Sequence, residues 1–459
     1  MIKFNKKILL ILLSTTLVML FFLIPISKII NFNWLFAIDP WVHMSLTKNL
    51  EPEQLYWNEI KLYDNTFSTQ YPSFMRTYLY EFHLITWADY ISIFKYFGFI
   101  TRFFLLLVIL IFIRKFILTN KKNIFHLPLI VCLLLWYSYF WYRAWITFPE
   151  NFVLIFHWLL LFFSTLYIYK KNNFYLFFIV FFTSISIYYH IPSFVIAALI
   201  IFWFSLVILY KERLRWFTKL LIMLVGVFIL SFPVLKILIS NYTAQLTENI
   251  GSNIQSYWDI TRFTAPSFTD YISFSSLLII IFSFLWLIYY AKKHTTRKKY
   301  IYMIPFFVLF LGTFILTNWT RFYINVPMDR MQWYFIFPLI ILASYGFIQT
   351  LKKYNPWIKI IIVNTILMFS ILTVNSSEWW FKLRKWETEI TVYLAKNISN
   401  NKKYYFDTWI SFFELQFANY KSIVTNKANL TTGDWIITYN IYNTGNLIYE
   451  SKQMRIYQK

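Results

Sequence analysis

Repeated apolar runs of 17 residues or more constrain the fold of this 459-residue chain more than any other feature. A helix built from such a run is long enough to cross the hydrocarbon core of a bilayer. The sequence is 59% hydrophobic but only 14% charged, whereas soluble domains have roughly 45–50% apolar and about 25% charged residues. We therefore predict an all-α polytopic membrane protein. The single cysteine, Cys132, excludes a disulfide scaffold.

The apolar runs predict about eleven transmembrane helices, and an odd number places the two termini on opposite sides of the membrane. A short interfacial helix could also lie within 76–95. The first run follows three lysines and is too long for a signal peptide, which favours a retained signal anchor. The predicted spans lie near residues 8–27, 97–113, 125–141, 151–169, 174–189, 193–210, 217–238, 271–290, 300–318, 333–350 and 357–374.

Lysine and arginine are distributed unevenly between the connections of these spans. Six short segments carry 21 of them in 43 residues, whereas the five alternate connections carry 9 in 127. This positive-inside pattern predicts a cytoplasmic N-terminus and an extracytoplasmic C-terminus. The net charge of +23 then follows from topology and from attraction to anionic lipid, so we expect no nucleic-acid partner. The six basic segments are 1–7, 114–122, 170–171, 211–219, 292–299 and 352–359.

Residues 375–459 are polar, rich in Asn and Lys, and contain no spanning run. We predict a transmembrane domain at 1–374, with an external loop at 31–90, and a small extracytoplasmic α/β domain at 375–459. The Asn, Lys and Ile bias and the lack of cysteine pairs favour a prokaryotic cell membrane. In the tail we expect helices near 380–397 and 409–418, and strands near 403–407, 421–425 and 434–440.

The predicted external side collects most of the acidic residues of the chain, together with several arginines and histidines near the ends of spans. The loop 31–90 holds seven of the twenty acidic residues, including Asp39. Charges at membrane depth are costly and usually face a cavity or a partner. We therefore predict a site that opens on this side. Further members of the group, near the external ends of other spans, are Arg143, Glu150, His190, Glu248, Asp259, Arg262, Arg321, Asp329 and Arg330.

Four short motifs on this side resemble those of a known superfamily. The segment DPWVH at 39–43, just beyond the first span, resembles the first acidic motif of oligosaccharyltransferase catalytic subunits. The segment RAWITFPEN at 143–151 is similar in position to their second acidic motif, and TEN at 247–249 to an acidic motif in a later external loop. The segment RFY at 321–323 resembles the site of an arginine that contacts the donor phosphate. More broadly, the chain resembles the GT-C superfamily of polyprenyl-phosphate-dependent glycosyltransferases.

The chain also departs from the oligosaccharyltransferase pattern. Its second motif has a lone Glu150 in place of an acidic pair, and the Trp-Trp-Asp-Tyr-Gly motif is absent, since Trp379-Trp380 continues as Phe381-Lys382. Transfer to protein asparagine is therefore disfavoured. The resemblance implies a simpler GT-C transferase with inverting chemistry.

For the catalytic residues, the resemblance implies Asp39 as general base or metal ligand, Glu150 as its partner, and His43 as a further base or ligand. Carboxylate oxygens suit Mg²⁺ or Mn²⁺, so Asp39 and Glu150 could hold a divalent ion. Structural alternatives remain for each residue. Asp39 before Pro40 is also a common helix start, Glu150 suits a helix N-terminus, and His43 could simply pair with Asp39.

For the donor phosphate, the resemblance implies Arg321, whose planar guanidinium offers a bidentate contact, with Arg330 and Arg143 as further candidates. Glu248 and His190 are candidates for the acceptor side of the site. The alternatives are that Arg321 reaches to lipid phosphates, that His190 is interfacial, and that Glu248 is a solvated loop residue.

Three classes of function compete for this chain. We expect a glycosyltransferase that moves a sugar or glycan from a polyprenyl-phosphate-linked donor to a glycan, lipid or protein acceptor on the extracytoplasmic face. A transporter or flippase for lipid-linked glycans would have polar or broken helices near the midplane, and these spans are nearly all apolar there. A non-catalytic assembly subunit would have no reason to gather acids and arginines on one side.

Arg102, inside a predicted span, is expected to extend its guanidinium to the membrane surface.

Overall fold

The computed structural model describes two compact units of this chain. The first comprises Met1–Asn31, Ile100–Trp145 and Glu150–Ser377, and the second comprises Phe32–Phe99, Ile146–Pro149 and Glu378–Lys459. The predicted domain boundary after residue 374 stays a prediction. The described residues are 44, 47–48, 60–62, 67–69, 74–117, 149–189, 191–212, 215–248, 304–317, 401–407, 427–438, 445–451 and 454–459, with single positions at 281, 285, 338, 342–343, 346, 354–355, 358, 361–362, 365, 393–394 and 396–397.

The described elements are mostly helical. The helices are α1 (Phe74–Thr86), α2 (Tyr90–Phe112, continued by a π-helical turn Ile113–Ile117), α3 (Pro149–Lys170), α4 (Phe174–Tyr189), α5 (Ile191–Glu212), α6 (Arg215–Glu248) and α7 (Ile304–Thr317). The strands are β1 (Ile60–Leu62), β2 (Phe67–Thr69), β3 (Tyr404–Asp407), β4 (Trp435–Thr438), β5 (Asn446–Ser451) and β6 (Met454–Gln458).

Four helical segments in the described residues are long and apolar enough to cross a membrane, and α4 is a shorter apolar helix. They confirm the predicted spans at 97–113, 151–169, 193–210 and 217–238, and the protein is an integral membrane protein. Helix α7 lies within the predicted span 300–318. The spans predicted at 8–27, 125–141, 271–290, 333–350 and 357–374 lie outside the described residues, apart from single positions. The four candidate segments are Tyr90–Phe116, Asn151–Lys170, Ser193–Tyr210 and Trp216–Lys236.

Helix α6 is longer than predicted. The predicted span ended at residue 238 and was followed by a long external loop, but the helix continues to Glu248. No glycine or proline lies between residues 234 and 250, so nothing in the segment ends the helix. Pro233 lies inside α6 and cannot donate a hydrogen bond to the carbonyl of residue 229. The Tyr188 hydroxyl of α4 donates to the Leu230 carbonyl close to this point.

Aromatic contacts fix the relative directions of α3 and α4. Phe152 near the start of α3 stacks on Tyr189 at the end of α4, with ring centroids 5.6 Å apart. Phe163 further along α3 stacks on Phe178 near the start of α4, at 4.4 Å. The paired positions move in opposite directions along the two helices, so α3 and α4 are antiparallel.

Contacts of α3 with α5 and α6 establish two further directions. His157 Nε2 lies 2.9 Å from the Ser193 carbonyl oxygen, and the Tyr167 ring packs edge-on against Phe204 at 5.6 Å. The second contact lies later than the first along both helices, so α3 and α5 are parallel. Lys219, near the start of α6, donates to the Tyr167 hydroxyl near the end of α3 at 2.7 Å. Gly226 of α6 lies against Val180 of α4, and Leu230 of α6 accepts from Tyr188 later in α4, so α6 is parallel to α4. Helix α6 is therefore antiparallel to α3.

In the second unit, α1 and the first two turns of α2 form a hairpin. Phe97 of α2 packs edge-on against Tyr78 of α1 at 5.6 Å. The hairpin turn ends α1 at Trp87, which has a φ of 57° and donates from its N–H to the His83 carbonyl at 2.8 Å. Asp89 then caps α2, because its carboxylate accepts the Ser92 N–H at 2.9 Å.

The same unit contains a four-stranded C-terminal sheet with the order β3-β4-β6-β5, and β1 pairs antiparallel with β2 in a separate ribbon. Strands β3 and β4 are parallel, while β6 is antiparallel to both β4 and β5. Strands β3 and β4 confirm the strands predicted at 403–407 and 434–440. The sequence did not predict β5 and β6, although Ile456 and Tyr457 of β6 are buried.

Candidate functional site

Most of the predicted site residues lie outside the described residues, so their side-chain contacts stay predictions. Two of the eight have a described backbone but no described side chain. Glu150 is the second residue of α3, and Glu248 is the last residue of α6 rather than part of a loop. The predicted site residues outside the described ranges are Asp39, His43, Arg143, His190, Arg321 and Arg330.

The helix directions bring two of these positions, Glu150 and Glu248, and the ends of α4 and α5 to one end of the helical unit. Helix α3 begins at Pro149, α4 ends at Tyr189 and α5 begins at Ile191. Because α3 and α5 are parallel and α4 opposes them, Glu150 lies at the same end as the 189–191 connection that contains His190. Helix α6 opposes α3, so its last residue, Glu248, is directed to that end as well.

Basic residues of the described helices lie toward the opposite end. Arg114 and Lys115 lie in the π-helical turn that follows α2. Phe112 contacts Trp158 of α3, and Phe116, one turn later, contacts Phe162, one turn later in α3. Helix α2 is therefore parallel to α3. This group lies where the positive-inside distribution of the sequence predicts basic residues. The described exceptions in the helical unit are Arg102 and Lys236, which lie toward the end that carries Glu150, and Glu212, which ends α5 at the basic end. Other members of the basic group, at the end of α3 and the start of α6, are Lys170, Lys171 and Lys219.

Buried polar residues lie just inside the end that carries Glu150. Asn151, His157 and Ser193 are 3%, 3% and 0% exposed. A carbonyl oxygen can only accept, so the contact of His157 with Ser193 requires the hydrogen to be on Nε2 of the ring. This pattern was missed in the sequence because the three residues are scattered in apolar runs. The spacing of seven residues between Glu150 and His157 was the available signal, since it places both on one helix face.

Arg102 does not extend to the lipid surface as predicted. It lies on α2 within the candidate span Tyr90–Phe116 and is 1% exposed. Its neighbour Thr101 is 4% exposed. The prediction was wrong because residue 102 lies on the face of α2 that packs against the protein interior. The length and hydropathy of the apolar run do not show which face of the helix is buried. A buried guanidinium in an apolar helix is costly and makes Arg102 a candidate for a functional position.

One carboxylate just outside the helical spans, Asp89, has a pKa set by its hydrogen bonds. Burial raises the pKa of Asp89, but hydrogen bonds from the Ser92 hydroxyl and from backbone N–H groups outweigh it and leave the pKa below its usual value.

Among the described residues, no three His, Cys, Asp or Glu side chains form a group that could hold a metal ion. The predicted ligands Asp39 and Glu150 have no described side chain, so the metal site stays a prediction.

Comparison with known proteins supplies the fold. No model of a known protein family matches the sequence, and no curated protein matches it either. Among solved structures, the crystal structure of ArnT from Cupriavidus metallidurans bound to undecaprenyl phosphate is similar, with a TM-score of 0.61. The match covers 98% of this chain and 97% of that chain at 10% sequence identity. At this identity the likeness shows a shared fold.

Proposed function

We propose that this protein is a GT-C-type glycosyltransferase. It moves a sugar or glycan from a polyprenyl-phosphate-linked donor to a glycan, lipid or protein acceptor on the extracytoplasmic face of the membrane. The observation that carries the proposal is the fold shared over 98% of the chain with ArnT, whose structure holds undecaprenyl phosphate. The gathering of Glu150, Glu248 and the 189–191 connection at one end of the helical unit supports it independently.

In the proposed chemistry, the Asp39 carboxylate accepts the proton of the acceptor hydroxyl, which requires a separation of about 3 Å. The acceptor oxygen forms a bond to the anomeric carbon as the bond from that carbon to the phosphate oxygen breaks. The bonding electrons leave with the polyprenyl phosphate. Attack opposite the leaving group inverts the anomeric centre, as the superfamily resemblance implies. Glu150 and His43 orient Asp39 or the acceptor.

Positive charge is needed where the phosphate departs, because negative charge develops there in the transition state. Arg321 is the proposed contact, with Arg330 and Arg143 as further donors. A divalent ion such as Mg²⁺ or Mn²⁺ would supply additional charge neutralisation, and the oxygen ligands of Asp39 and Glu150 fit its preference. Glu248 and His190, at the end that carries Glu150, are proposed to contact the acceptor.

The test is transfer of radiolabelled sugar from polyprenyl-phosphate donors by the purified protein. Wild type is compared with Asp39→Asn and with a control, Asp89→Asn, each with and without EDTA. Asp89 is a second carboxylate near the membrane, and Asn preserves its role as a helix cap. We expect Asp39→Asn to abolish transfer and Asp89→Asn to retain it, and sensitivity to EDTA decides between base and metal ligand.

Two outcomes would contradict the proposal at different levels. Equal transfer by wild type and Asp39→Asn would show that Asp39 is only a helix cap and would refute the site assignment. No transfer by folded wild type across a panel of sugar donors would refute the enzymatic function and favour a flippase or an assembly subunit.

A further inference from the structure

We propose that His157 is a positioning residue that joins the starts of α3 and α5 and thereby holds Glu150 beside the 189–191 connection. The catalytic meaning of this inference rests on the proposed function. The structural part, a joint between two helix ends, stands on the described contacts alone. His157 belongs to none of the motifs that resemble the superfamily.

The joint consists of one buried hydrogen bond between two helices. His157 Nε2 donates to the Ser193 carbonyl oxygen at 2.9 Å, and both residues are at most 3% exposed. Ser193 is the third residue of α5 and follows the 189–191 connection directly. A carbonyl oxygen has two lone pairs, so Ser193 can accept from His157 and still accept from the helix backbone. In a setting without water, such a bond restrains the two helices more than an exposed one would.

Aromatic packing surrounds the same corner. Phe152 stacks on Tyr189 at 5.6 Å, and Phe156 meets the same ring edge-on at 5.3 Å. Tyr189 is the last residue of α4. The first two turns of α3 therefore contact the end of α4 through aromatic rings and the start of α5 through the hydrogen bond. Rings can slide over one another, whereas the hydrogen bond fixes both distance and direction.

The position of His157 relative to Glu150 links this joint to the site. Seven residues separate them along α3, which corresponds to about 20° of rotation and about 10 Å of rise. They therefore lie on one face of the helix, two turns apart. A restraint at residue 157 fixes the rotation and axial position of α3, and so the direction in which position 150 is presented. Misplacement of a catalytic group by about 1 Å can cost about 100-fold in rate.

Three variants test whether His157 positions α3 or only stabilises the fold. His157→Phe keeps a ring of similar size and removes the hydrogen bond, while His157→Gln keeps an N–H donor at a similar distance from the backbone. The matched control is Tyr167→Phe, which removes the bond from Lys219 at the other end of the same helix. Tyr167 is 0% exposed and Lys219 is half-buried, so the control also deletes one polar contact between helices.

In the transfer assay, His157→Phe is expected to lower kcat at least about 10-fold with KM for the donor changed less than about twofold. His157→Gln is expected to recover kcat to within about threefold of wild type, and Tyr167→Phe to match wild type. An equal loss of kcat in His157→Phe and Tyr167→Phe would overturn the inference, because it would indicate general destabilisation. Unchanged kcat in His157→Phe would overturn it as well.

A distance measurement tests the joint without any activity. Spin labels are placed at Ile155 of α3 and Val195 of α5, where the side chains are half-buried and 38% exposed. Cys132, the only cysteine, is first replaced by alanine. We expect one narrow distance in wild type, His157→Gln and Tyr167→Phe, and a broadened distribution in His157→Phe. An unchanged distribution in His157→Phe would overturn the inference. If wild type transfers no sugar, the proposed function fails, and this measurement still decides whether the joint exists.

Discussion

Replacing Asp434 by alanine is expected to destabilise the C-terminal sheet by about 3 kcal/mol. The Asp434 carboxylate is 5% exposed and accepts three hydrogen bonds. The donors are Lys403 N–H at 2.9 Å, Thr431 N–H at 2.6 Å and the Thr431 hydroxyl at 2.8 Å. A hydrogen bond to a charged group contributes about 1.5–3 kcal/mol. Lys403 and Thr431 are themselves exposed, so water can replace part of each bond, and about 1 kcal/mol per bond is a suitable value.

The assay is hydrogen exchange by mass spectrometry on the full-length protein in detergent, read at the amides of β4. A loss of about 3 kcal/mol corresponds to exchange about 150-fold faster when exchange reports the opening equilibrium. The control is Glu450→Ala, which removes the ion pair with Arg455 at 2.6 Å, with the Glu450 side chain 45% exposed. An exposed pair contributes about 0–1 kcal/mol, so the control is expected to change exchange by less than about fivefold. Similar small effects of Asp434→Ala and Glu450→Ala would refute the reasoning.

The same perturbation has a defined pH dependence. Burial raises the pKa of Asp434, but the hydrogen bonds from Lys403 and Thr431 and the charge of Lys403 outweigh burial and hold the pKa below its ordinary value of 3.8. Because the folded-state pKa lies below the unfolded one, the stabilisation is present above pH 3.8 and is lost as the pH falls through the folded-state pKa. The difference in exchange between wild type and Asp434→Ala should therefore shrink below about pH 4. A difference that stays constant into that range would contradict the ionic origin of the effect.

Two backbone positions give further predictions. Gly445 has a φ of 139°, and an added Cβ would lie 2.8 Å from the Gln458 backbone oxygen, so Gly445→Ala should cost about 2–3 kcal/mol and speed exchange in β6. Exchange equal to wild type would contradict this. Trp87 adopts a left-handed φ of 57°, so Trp87→Gly should relieve about 1 kcal/mol of strain and raise the thermal unfolding temperature of the detergent-solubilised protein. A lower unfolding temperature would mean that the exposed indole, rather than the backbone, governs stability at this turn.

Among the described residues, the sequence predicted the apolar helices well because hydropathy measures the property that drives their insertion. Helices α3, α4 and α5 end within about two residues of the predicted spans. The errors occur where a helix leaves the membrane. Helix α2 begins at Tyr90 rather than near 97, and α6 continues past 238 to Glu248. Hydropathy falls at these places while the backbone continues to form helical hydrogen bonds, so apolar length and helix length differ.

The sequence predicted candidate site residues only where a short motif marks them. Asp39 and Glu150 could be proposed because an acidic residue next to an apolar run is conspicuous, and their roles stay predictions. The burial of His157 and Arg102 was not predicted, because an average over an apolar run conceals one buried polar side chain. Their burial depends on which helix face meets a neighbour, and that is determined by packing between distant segments. Strand β6 was missed for the same reason, since its pairing with β4 and β5 is what identifies it.

Helix α6 is 34 residues long, about 51 Å, and so exceeds the thickness of the hydrocarbon core of about 30 Å. Its candidate span ends at Lys236, and Pro233 lies one turn before that point. The segment beyond Pro233 is about 22 Å long and carries Glu248 at its tip. A bend of about 10° at Pro233 displaces that tip by about 4 Å, which is comparable to the thickness of a sugar ring. A small change of bend at Pro233 would therefore be amplified at Glu248, the position that we propose to contact the acceptor.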